Sequence, residues 1–120
     1  MLVVDDDVEV RRLLRVHFEL TDGFACVDEA ADAREAVALA ALHQPDVIVL
    51  DSMMPGLSGL DAVPDLKQGS PESIIVMFSA VLDSAAIGSF RGMGVDGVVP
   101  KTDGVDALQT TIESLLADPG

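Results

Sequence analysis

Cysteine, tryptophan and tyrosine are all but missing from this 120-residue chain: one Cys, no Trp, no Tyr, and only four Phe. A lone Cys26 closes no internal disulfide, so the simple reading is a buried thiol in a reducing, cytoplasmic compartment. Cations are scarce too. Seven Lys and Arg stand against 21 Asp and Glu, a formal net charge of −14. That balance argues against direct nucleic-acid contact by this domain, and it suits a cation site or basic partner surfaces. No apolar run approaches the ~20 residues of a membrane span. A strand is expected from Leu2 onward, so no leader peptide is expected either. There is no internal repeat, low-complexity segment or linker. With 49% hydrophobic residues, the chain reads as one domain over residues 1–120, long enough to bury most of a core.

What the chain does have is a series of short aliphatic runs that end in polar residues. Val47-Ile48-Val49-Leu50 ends in Asp51, Leu2-Val3-Val4 in Asp5-Asp6-Asp7, Ile74 to Phe78 in Ser79, and Val98-Val99-Pro100 in Lys101. Runs of this kind read as strands buried on both faces. Phe24 to Glu29 adds a fifth, weaker strand. Between them lie helical patterns. Val10, Leu13, Leu14 and Phe18 form one apolar stripe, with Arg11, Arg12 and Arg15 largely outside it and Gly23 as C-cap. Asp32 with Glu35 opens a second helix as a capping box, buries Ala36, Leu39 and Ala40, and stops before Pro45. A third helix is expected from about Ser58 to Lys67, kinked by Pro64. A fourth, capped by Asp83, is interrupted by Gly88 and Gly92 and should be the most mobile element. The last runs from about Val105 to Ala117, with Val105, Leu108, Ile112 and Leu115 inward.

Strands and helices alternating five times imply an α/β fold: a five-stranded parallel sheet with helices on both faces. Strand order 2-1-3-4-5 places the topological switch between the strands that end in Asp5-Asp6-Asp7 and in Asp51. Ligands bind at that edge in such folds, so fold and chemistry select one crevice. Crowded carboxylates there call for a hard cation such as Mg²⁺. An acid nucleophile with Mg²⁺, the Lys101 amine and the Ser79 hydroxyl is a kit for phosphoryl transfer onto aspartate. Each piece alone also has a structural reading, as helix cap, backbone partner or surface charge; their coincidence at successive strand ends makes the argument. His17 and His43 lack ligand-spaced partners and read as surface residues. Met53 and Met54 read as loop packing.

In these residues the chain resembles the receiver domain of a two-component response regulator, over essentially its whole length. The signature stands as Val3-Val4-Asp5-Asp6-Asp7, Val49-Leu50-Asp51 through Gly59, Phe78-Ser79-Ala80 and Val99-Pro100-Lys101. The resemblance implies a flavodoxin-like fold and a signalling phosphoacceptor that is no conventional enzyme. Asp51 would take the phosphoryl group, and Asp5, Asp6, Asp51 and the Met53 backbone carbonyl would hold Mg²⁺. Ser79 would be the switch hydroxyl, and Lys101 would contact the phosphoryl group. Implied partners are a sensor histidine kinase or phosphotransfer protein as donor. An output domain beyond Gly120, or a second copy meeting the face of helix 4, strand 5 and helix 5, would then respond.

Two positions depart from the family pattern. Val98 replaces its switch aromatic. Thr102 stands where Pro often follows the lysine, which leaves the isomer of the Lys101–Thr102 peptide open. Val98 to Thr102 also resembles receivers of LuxR-type helix-turn-helix regulators. Two other readings compete: a receiver-like interaction module that is never phosphorylated, and a Mg²⁺-dependent phosphatase of the haloacid-dehalogenase type. The latter wants a second Asp two residues after the nucleophile, where this chain has Met53.

Overall fold

A computed structural model describes residues 1–24, 27–52, 59–80, 88–89 and 91–117. Its strands are β1 (Leu2–Val4), β2 (Asp28–Ala30), β3 (Val47–Leu50), β4 (Ile74–Ser79) and β5 (Gly97–Pro100). Among them run α1 (Val8–Glu19), α2 (Ala33–His43), α3 (Gly59–Gly69), the helical residues 88–89 and 91–92 (here α4) and α5 (Gly104–Ala117). The sheet is parallel throughout, in the order β2-β1-β3-β4-β5. The expected topology is therefore the observed one.

Side chains alternate across each strand and so divide the core into two layers. Leu2, Val4, Ile48, Leu50, Ile75 and Met77 meet the small residues Ala33, Ala36, Ala40 and Ala62, with Val63 and Leu66, on the side of α2 and α3. Val3, Val47, Val49, Val76, Phe78 and Val99 meet Leu14 and Phe18 of α1 and Leu108 and Ile112 of α5 on the other. Helices thus cover both faces, and β3 is buried along its whole length.

The helix termini follow their chemistry. Asp7 caps α1 through the Glu9 amide, and Asp32 caps α2 through the Glu35 amide. The latter is half of the capping box. The C-cap of α1 is Leu20, and Gly23 makes its left-handed turn three residues later (φ 97°). Gln44 ends α2 in the left-handed region (φ 48°), and its side-chain amide donates to the carbonyls of Ala41 and Gly69.

Several local expectations need correction. Among the described residues strand β2 is Asp28–Ala30, where Asp28 and Glu29 are half-buried and Ala30 is buried; residues 25 and 26 lie outside them. Leu13 is 57% exposed, since the buried stripe of α1 is centred on Leu14 and Phe18. Helix α3 holds Pro64 inside it, as expected, and runs to Gly69, two residues past the expected Lys67. Pro64 lies on the exposed side, where water can meet the carbonyl that loses its donor. Asp83, the expected cap of α4, and Cys26 lie outside the described residues.

One close approach couples β5 to α5. A Cβ at Gly97 would stand 3.1 Å from Leu115 Cδ1 and 3.2 Å from Thr111 Cγ2, so any larger residue would require these side chains to give by a few tenths of an ångström. No helix among the described residues is long and apolar enough to cross a membrane.

Candidate functional site

Strand register brings the site residues together. Val4 pairs with Leu50, so the chain leaves β1 and β3 side by side with Asp5 beside Asp51. The Asp51 amide continues the ladder by donating to the Val4 carbonyl (2.9 Å). Leu50 pairs with Met77, which sets Ser52 level with Ser79, and Ser79 pairs with Pro100, next to Lys101. Four strand ends thus converge on one edge.

Carboxylate oxygens of Asp5, Asp6 and Asp51 lie within 4.8 Å of one another. Asp5 and Asp51 are buried and Asp6 is exposed. Lys101 Nζ reaches in from the far side, 2.9 Å from Asp5 Oδ2 and 3.6 Å from Asp51 Oδ2. Burial of the ammonium works to lower its pKa, but its hydrogen bond to Asp5 and the charges of Asp5 and Asp51 outweigh that and raise it. Lys101 therefore stays charged at neutral pH. Oxygen donors gathered this closely fit a hard divalent ion such as Mg²⁺, and among the described residues no soft sulfur or imidazole ligand belongs to the cluster.

The Ser79 hydroxyl is buried and lies 2.5 Å from the Ser52 hydroxyl. Ser52 escaped the sequence reading; its one signal is the β3–β4 register, which a single sequence does not display. Arg11 also escaped it, being placed outside the apolar stripe. Its side chain is only 16% exposed, and its Nη1 donates to the Asp5 carbonyl at 2.7 Å. Met53 and Val81 lie outside the described residues. His17, expected at the surface, is half-buried between α1 and α5, with Nε2 2.6 Å from Gln109 Oε1. His43 is exposed as expected. No cis peptide occurs among the described residues, so Lys101–Thr102 is trans.

The family model of the response regulator receiver domain matches residues 1–113. The chain is 30% identical over 116 residues to the transcriptional regulatory protein YdfI of Bacillus subtilis (strain 168), covering 97% of this chain and 54% of that protein. It spans about half the length of the curated relatives it matches. The crystal structure of a two-component response regulator of the LuxR family from Aurantimonas sp. SI85-9A1 shares 34% identity. It superposes with a TM-score of 0.90, covering 97% of this chain and 83% of that one. The CheX–CheY–BeF3–Mg complex from Borrelia burgdorferi shares 25% identity at a TM-score of 0.86, covering 96% and 87%. A sheet ordered 2-1-3-4-5, an acid cluster at its switch point and relatives of this kind lead to one family: the chain belongs to the response regulator receiver domains of two-component signalling.

Proposed function

We propose that this domain, residues 1–120, is a phosphoacceptor that takes a phosphoryl group from a phosphohistidine onto Asp51 in a Mg²⁺-dependent step. The observation that carries the reading is the three-carboxylate cluster closed by the Lys101 ammonium. An Asp51 carboxylate oxygen attacks phosphorus in line, and the P–N bond breaks with its electron pair returning to the donor imidazole. Asp5, Asp6, Asp51 and the Met53 carbonyl would hold Mg²⁺, which supplies neutralisation of the phosphoryl oxygens. Lys101 contacts one such oxygen. Ser79 exchanges its Ser52 partner for the phosphoryl group and draws the β4 end with it. The Mg²⁺ and fluoroberyllate in the Borrelia CheY complex accord with this chemistry.

The donor is a sensor histidine kinase or phosphotransfer protein, and the setting is cytoplasmic. With Val98 in place of an aromatic, the response lies in population shifts of the α4–β5–α5 face. That face would engage an output domain beyond Gly120, as the LuxR-family neighbour suggests, or a second copy. The domain is no conventional enzyme; at most it promotes its own phosphorylation and dephosphorylation.

Incubation with a small-molecule phosphoryl donor and Mg²⁺, read by intact mass, tests this. A stable adduct of about +80 Da on wild type, absent from Asp51→Asn, is expected. No adduct would favour the interaction-module reading, and continuous turnover of the donor would favour the phosphatase.

A further inference from the structure

Asp5 is held at four points. Its amide donates to the Ala30 carbonyl at 3.1 Å. Its Oδ1 accepts the Asp7 amide at 2.9 Å, and its Oδ2 accepts Lys101 Nζ at 2.9 Å. Its carbonyl oxygen accepts Arg11 Nη1 at 2.7 Å. The first contact continues the sheet and the second belongs to the turn into α1. The fourth is a side chain reaching back from α1 to the strand end.

Arg11 is aimed by Glu29. Its Nε donates to Glu29 Oε1 at 3.3 Å, while Glu29 Oε2 accepts Arg15 Nη1 at 2.9 Å. One carboxylate on β2 thus spans two guanidiniums a helical turn apart. A planar guanidinium fixed through Nε has little freedom left in where its Nη1 points. The contact is shielded, too. Side chains of Arg11 and Glu29 are 16% and 25% exposed, against 49% and 43% for the neighbouring Arg15–Glu19 pair.

The carbonyl that Arg11 grips belongs to the peptide joining Asp5 to Asp6. Because that unit is planar, fixing its oxygen restrains ψ of Asp5 and the direction in which the chain enters Asp6, which narrows how the two acidic residues can be turned. We propose that Arg11, aimed by Glu29, is a positioning residue for the cation site, locking the Asp5–Asp6 peptide so that both carboxylates face Asp51. The inference rests on the Mg²⁺ reading of Asp5, Asp6 and Asp51. It carries a sign that separates it from simple electrostatics. A guanidinium held on the Asp5 carbonyl opposes a nearby cation through its charge, so deleting it should tighten Mg²⁺ binding if charge were its role. Deleting a positioning group should loosen it.

The test is calorimetric titration with Mg²⁺ of wild type, Arg11→Ala, Arg11→Lys and the double variant Arg11→Ala/Glu29→Gln, each checked by thermal melting in chelator. Wild type should bind, and Arg11→Ala should bind roughly tenfold more weakly despite its lost positive charge. Arg11→Lys, with charge but no fork, should also be weaker, and it decides the matter if the alanine variant does not fold. Adding Glu29→Gln to Arg11→Ala should cost little more, since Glu29 acts through Arg11. Unchanged or tighter binding by both single variants would overturn the positioning role. Absence of binding by wild type would instead overturn the cation reading on which it rests.

Discussion

Replacing Asp51 by Asn removes the proposed nucleophile, yet its effect on stability should be small without cation and visible with it. At an effective dielectric of about 20, the Asp5–Asp51 repulsion, across no more than 4.8 Å, is at least about 3.5 kcal/mol. The Lys101–Asp51 attraction at 3.6 Å is about 4.5 kcal/mol on the same scale. Asp6 is exposed, so solvent screens its share of the repulsion. The two large terms nearly cancel, and Asp51→Asn should melt within about 1 kcal/mol of wild type in chelator. At a Mg²⁺ concentration ten times Kd, wild type gains about 1.4 kcal/mol. For 120 residues that is a rise in Tm of about 5 °C. If losing one of three carboxylates weakens Kd tenfold, the variant's rise at the same concentration shrinks to under about 2 °C. Paired calorimetric scans with chelator and with Mg²⁺ measure both quantities. Equal Mg²⁺ shifts for the two proteins would remove Asp51 from the cation site. A loss above about 3 kcal/mol in chelator would show that the balance of charges is wrong.

Gly88 and Gly92 have no heavy atom within 4 Å of an added Cβ, so Gly88→Ala and Gly92→Ala should each stabilise the domain by up to about 1 kcal/mol; denaturant melts showing destabilisation would place those residues outside a regular helix. Met53 and Val81 stand two residues after Asp51 and Ser79, and neither side chain holds a water well. Self-dephosphorylation should therefore be slow, and Met53→Asn and Val81→Glu should each speed it, about tenfold per 1.36 kcal/mol of water positioning; decay of the phosphorylated protein, followed by mass, checks this, and unchanged rates would acquit both side chains.

Much of this was legible because strand ends announce themselves. An aliphatic run closed by a single polar residue marks both a buried strand and the edge from which its last side chain projects. Asp5, Asp51, Ser79 and Lys101 were found that way. The less legible parts depend on partners distant in sequence. Strand β2 is an edge strand of mostly polar residues, Asp28–Ala30, so its periodicity is faint. Arg11 looks like a solvated helix charge until Glu29, 18 residues away, turns it toward Asp5. Ser52 gains its partner only from the register of β3 on β4. His17 meets Gln109 across 92 residues, a pairing that helical periodicity alone cannot reveal.

The glycine at position 97 has a mechanical implication. A methyl group there would stand only 3.1–3.2 Å from Leu115 and Thr111, so the seam between β5 and α5 leaves little room between strand backbone and helix side chains. Lys101 follows this strand directly and opens the single turn that leads into this helix. A pull on its ammonium is therefore passed to a strand packed closely against its helix. Strand and helix should then shift together, and the displacement would be read along α5 toward Ala117.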